Sequence, residues 1–251
     1  MADPKLTEEA QARSDAPSEP AECFHRGGPL ATELAVHLPF SVSAVAIGLI
    51  FAGVLSVVTV PSAAGGSGYA DEASVHRLLF HLFHPAHMLF SAAATTAMFW
   101  RYDRRMGRAV GVGLTGAIVV CGISDIVLPA LSAWILGKGF DWPWHICVID
   151  HPGLVIPFAV VGIGLGLAAA VGVQSSTFFS HSLHVFASTM ASIFYLTNRY
   201  DGPTEWISDV GPVFILIILA VLVPCCLSDI AFPVLMSRSA RKQYLTHGHV
   251  H

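Results

Sequence analysis

The chain has 251 residues, of which 54% are hydrophobic and only 12% charged, and its formal net charge is −4. An average soluble domain carries roughly 25% charged residues, so this chain cannot cover a water-facing surface and belongs to the integral membrane class. Its apolar segments are continuous rather than alternating, which favours helices over a barrel. No basic stripe exists to neutralise phosphate, which excludes nucleic acid as a partner.

In chain order, residues 1–30 are polar, rich in Ala, Glu and Pro and without periodicity, and read as a disordered tail. They lack the charged-then-apolar layout of a signal peptide. A spanning helix needs about 20 mostly apolar residues. Six stretches qualify: 38–60, 75–100, 109–136, 152–173, 177–198 and 211–236. Arginines 101, 104, 105 and 108 lie between the second and third stretches, and SRSARKQ follows the sixth. Lys and Arg in short loops mark the cytoplasmic side, and both groups fall on one side of a six-span chain. The expected topology is a multi-pass cell-membrane protein with both termini cytoplasmic. The aromatic loop FDWPW then falls at the outer interface. The five cysteines are Cys23, Cys121, Cys147, Cys225 and Cys226. None forms a CxxC pair, and Cys121, Cys225 and Cys226 lie in apolar runs, where a thiol behaves as a small hydrophobe.

The sequence also repeats itself. HPAHMLFS (84–91) matches HSLHVFAS (181–188) at His, His and Ser. SDIVLPAL (124–131) matches SDIAFPVL (228–235) at Ser, Asp, Ile, Pro and Leu. Apolar drift does not produce shared His, Asp and Pro. The expected fold is therefore an all-α integral membrane protein of six transmembrane helices, arranged as two inverted-topology three-helix repeats. The first repeat covers 31–136 and the second 137–236, with a histidine-containing cytoplasmic tail at 237–251. An odd number of spans per repeat inverts the second copy, a design common in transporters.

Ionisable groups inside a bilayer are costly unless paired, bound or facing water. HxxH places two imidazoles on one helix face, and an aspartate from the next helix completes a His/His/Asp set. His84, His87 and Asp125 form one expected metal group and His181, His184 and Asp229 the other. His151, with Asp150, is expected to join the first, and His37, with Glu33, the second. The groups lie on opposite sides of the midplane, or merge into one binuclear site if the helices tilt together. For Asp125 and Asp229 the rival role is capping a helix disrupted by Pro129 and Pro233, four residues on. His76 and His81 read as hydrogen-bonded membrane histidines, and Ser91 and Ser188 as packing positions. In the tail, His247, His249 and His251 read as solvated.

Nitrogen and oxygen donors suit Zn, Fe, Mn or Co. The expected function is transport of divalent transition-metal ions rather than catalysis, with low pH competing for the histidines. The alternatives are a membrane metalloenzyme with a binuclear centre and a haem b electron-transfer protein with histidine pairs at two depths. The expected partners are the metal ion and the lipid bilayer, with association into a homo-oligomer also open.

Overall fold

A computed structural model describes residues 29–63, 72–139, 146–169, 175–202 and 204–237. The expectations for the N-terminal tail, the FDWPW loop and the THGHVH end lie outside the described residues.

Helices occupy all six apolar stretches. They are α1 (Pro29–Ala63), α2 (Glu72–Tyr102), α3 (Met106–Ile135), α5 (Pro152–Ala169), α6 (Ser175–Thr197) and α7 (Val210–Cys226). A short α4 (Cys147–Asp150) precedes α5, and a 3₁₀ turn (Glu205–Asp209) leads into α7. Beyond α7 the chain runs through a π-helical turn, Leu227–Ala231, into α8 (Phe232–Met236).

The described residues are all-α, and among them four helices are long and apolar enough to cross a membrane: Leu34–Val58 within α1, all of α3, all of α5, and Glu205–Cys225 through α7. The two remaining helices, α2 and α6, carry the histidines and many hydroxyls, and these polar residues lower their apolarity. Both lie at the centre, with α2 packed along α5 and α6, and α1 packed against α6 and α7.

The outside of the bundle is apolar and its centre is partly polar. Ile47, Ile50, Val54, Val57 and Val58 of α1, Val160, Val161 and Leu165 of α5, and Ile215 and Leu219 of α7 are exposed. An apolar core surrounds Phe80, Met88, Ile193, Phe194, Trp206 and Ile217. Next to it His84, His87, Ser91, Thr95, Ser124, Asp125, His184, Ser188 and Ser192 are all buried. Burial of that many polar groups costs free energy unless each finds a partner or a ligand.

Backbone irregularity is concentrated beside this polar centre. Two π-helical turns interrupt α3, Gly116–Val120 and Ile123–Val127, and the turn after α7 is the third. Pro129 has no N–H to return to Asp125, so the ladder shifts there: the Leu128 N–H bonds to Ile123 O, five residues back. Pro233 stands in the same relation to the turn Leu227–Ala231. Close helix approach is set by α5, where a Cβ at Gly162 would collide with Leu89 O of α2 and one at Gly166 with Ala93 O. Gly164, between them, has open space.

Candidate metal centre

Asp125 organises the polar centre. It is fully buried in the π turn of α3. Its Oδ2 lies 2.8 Å from His84 Nδ1 and 2.7 Å from His87 Nδ1, both on α2. Its Oδ1 accepts hydrogen bonds from Ser124 Oγ at 2.9 Å and from Ser188 Oγ of α6 at 3.0 Å. An ionised carboxylate only accepts, so both Nδ1 atoms carry the hydrogen, and in the neutral imidazoles both Nε2 atoms keep a lone pair. That is the arrangement by which carboxylates orient metal-binding histidines.

The lone pairs face away from Asp125. His87 Nε2 is 3.5 Å from Cys121 Sγ and 4.0 Å from Cys225 Sγ. The His87 and His184 rings lie 4.5 Å apart between centroids at 30°. His87, His184 and Cys225 each offer a ligand atom, all within 4.8 Å of one another, and all three residues are buried. His84 Nε2, buried and stacked at 5.1 Å on the Phe80 ring, has no hydrogen-bond partner among the described residues.

The expected His84/His87/Asp125 group is thus brought together, by hydrogen bonds that use the carboxylate oxygens. His184 of the second HxxH meets His87 of the first, so the two expected groups touch through these residues. The side chains of His181, Asp229 and Glu33 lie outside the described residues. His37, half-buried near the start of α1, is not part of the cluster. His151 is exposed and sits edge-on to His81, with ring centroids 5.2 Å apart. Asp150 accepts the Ile146 N–H at 2.9 Å and so closes the short α4. His76 Nδ1 lies 3.2 Å from Thr197 Oγ1, in keeping with its reading as a hydrogen-bonded histidine.

Sequence reasoning missed the two cysteines, although a signal was there. CGISDI (121–126) and CCLSDI (225–230) share Cys four residues ahead of Asp, so the repeated motif is CxxSDIxxP. One helical turn carries Cys onto the same face as Asp, and both thiols reach His87.

Hydroxyl contacts tie the same helices together crosswise. Ser91 Oγ of α2 lies 3.3 Å from Ser228 Oγ, and Ser188 Oγ of α6 donates to Ser124 Oγ at 3.4 Å. Thr95 Oγ1 donates to Ser228 O at 3.2 Å, and Ser192 Oγ donates to Ser124 O at 3.0 Å.

A cavity of about 530 Å³ opens at one end of α2 and α6, lined by Arg77, Phe80, His81, His151, Asn198, Arg199 and Asp201 among others. The Arg199 guanidinium donates to Tyr195 Oη at 2.9 Å and lies over that ring. Behind His81, Cys147 Sγ is 3.8 Å from Nδ1, and burial pushes this thiol up to about 12, assisted by Asp125 and Asp150.

No protein-family model, curated protein sequence or solved structure matches the chain.

Proposed function

We propose that the protein is a membrane transporter of transition-metal ions. The convergence of His87, His184 and Cys225 on one buried point carries this reading. Cys121 adds a second sulfur beside His87. Two imidazoles and two thiols favour Zn²⁺ or Cu⁺ and disfavour Mn²⁺, Ca²⁺ and Mg²⁺, which take oxygen donors. Asp125 acts from behind the histidines, fixing their tautomer and orientation. Charge balance supports it: a divalent ion, one thiolate and the Asp125 carboxylate sum to zero, whereas a lone buried carboxylate is costly in a bilayer.

The two-repeat reading draws support from the same residues. Under it, His87 pairs with His184, Cys121 with Cys225, Ser91 with Ser188 and Ser124 with Ser228. Each HxxH helix then bonds the serine of the opposite SDI turn, Ser91 to Ser228 and Ser188 to Ser124. The carbonyls of those serines are held reciprocally by Thr95 and Ser192. A single ion between the halves, held by equivalent residues from each, is the geometry of alternating access about a central site. In this reading all six helices span the membrane and both termini face the cytoplasm.

The haem alternative pairs His84 or His87 with His151, and His151 lying instead against His81 in the cavity wall counts against it. A membrane metalloenzyme is the second reading. Under it only His87, His184 and Cys225 hold the ion, Cys121 stays a thiol beside His87, and a fourth position is left open, as in catalytic sites. Uptake into liposomes separates the two. Reconstituted protein should carry Zn²⁺ or Cu⁺ to an enclosed fluorescent chelator with saturable kinetics, and His87→Ala should abolish the flux. Stoichiometric metal binding without flux would overturn transport and favour the enzyme.

A further inference from the structure

His81, His84 and His87 stand one helical turn apart along α2, and only His87 belongs to the central cluster. His81 is at the other end of this ladder, in the wall of the cavity, facing His151 with ring centroids 5.2 Å apart. Two imidazoles, one from α2 and one from the turn between α4 and α5, suffice to chelate one ion. Phe80 lines the same cavity and stacks on His84, whose buried Nε2 has no hydrogen-bond partner among the described residues. From His84, a shared carboxylate oxygen leads to His87. Nitrogen donors thus run stepwise from the cavity to the centre.

We infer that His81 and His151 form an entry site that captures a nitrogen-preferring metal ion, Zn²⁺ or Cu⁺, and passes it by way of His84 to the central cluster. This rests on the metal-transport reading and adds to it where the ion enters and how ions are chosen. The charges of the cavity supply the choice. Arg77 and Arg199 outnumber Asp201, the carboxylate among its lining residues. Ions held mainly by charge, such as Ca²⁺ and Mg²⁺, gain little against two guanidiniums. An ion that forms strong bonds to neutral imidazole overcomes the same field.

The test is a titration of the metal-free, full-length protein in detergent with Co²⁺, followed by calorimetry and near-ultraviolet absorption. Sulfur-to-cobalt absorption reports the central cluster, and total stoichiometry reports both sites. Wild type should bind one ion with that absorption and a further, weaker one without it. His151→Gln, at an exposed position, and His81→Gln should each lose the weaker ion and keep the absorption. His87→Ala should do the reverse. If both glutamine variants bind as many ions as wild type with the same affinity, the entry site is wrong, and persisting absorption keeps the central reading intact. If wild type shows no sulfur absorption, the central reading fails, while loss of binding in His81→Gln and His151→Gln would still uphold the cavity site.

Discussion

At the residue scale, Asp125 and the cysteines have separable roles. Asp125 touches His84, His87, Ser124 and Ser188, so its part in the proposed metal site is indirect. Asp125→Asn keeps the shape and removes the charge that holds both Nδ1–H groups. Loss of an outer carboxylate of this kind costs about 10- to 100-fold in metal affinity. The expected outcome is a fall of that size in competition with a chromophoric chelator, with the circular dichroism unchanged. Complete loss of binding would make Asp125 a ligand instead. Cys225→Ser should remove much of the sulfur-to-cobalt absorption and leave the helix intact, since Ser is close to isosteric. The histidines and Asp125 were legible because they are rare letters in apolar helices. The cysteines were not, because a buried thiol is also an ordinary small hydrophobe. Only their shared offset from Asp125 and Asp229 separates the two meanings.

At the element scale, the irregular backbone is fixed by proline and the close packing by glycine. Gly162 and Gly166 face the α2 backbone at Leu89 and Ala93. Gly162→Ala or Gly166→Ala pushes α5 off α2, and overpacking of this kind costs about 1 to 3 kcal/mol. Gly164→Ala meets open space and should be neutral. Thermal unfolding in detergent is the measurement, and equal shifts at all three positions would contradict this packing. Helix positions followed from runs of apolar residues, and the six stretches match the helices to within a few residues at most ends. The ends of α1 were harder to place. It starts at Pro29, well ahead of its apolar run, and continues through Pro39, a residue that sequence reading takes as a boundary. The π turns could not be placed from composition: Pro129 and Pro233 signal a disrupted ladder but not how the chain resolves it.

At the scale of the whole molecule, the proposed transport needs two equivalent halves around one ion. His87→Ala and His184→Ala should lower metal affinity by similar factors, and Cys121→Ser should match Cys225→Ser. One dispensable member in either pair would mean that the repeat survives as architecture alone. The repeat was legible as shared letters, but its consequence was not. Whether His87 and His184 stand apart at two depths or meet depends on how α2 and α6 cross, which no spacing within one helix encodes. Their 4.5 Å ring separation brings one histidine of each expected group together.

The most direct measurement is the metal content of protein purified without an affinity tag of histidines and dialysed against a weak chelator. The expected result is about one ion of Zn or Cu per chain, retained through dialysis, and lost from His87→Ala and Cys225→Ser proteins that still elute as folded monodisperse particles. A metal-free wild type, or metal that persists unchanged in both variants, would contradict a central site at His87, His184 and Cys225.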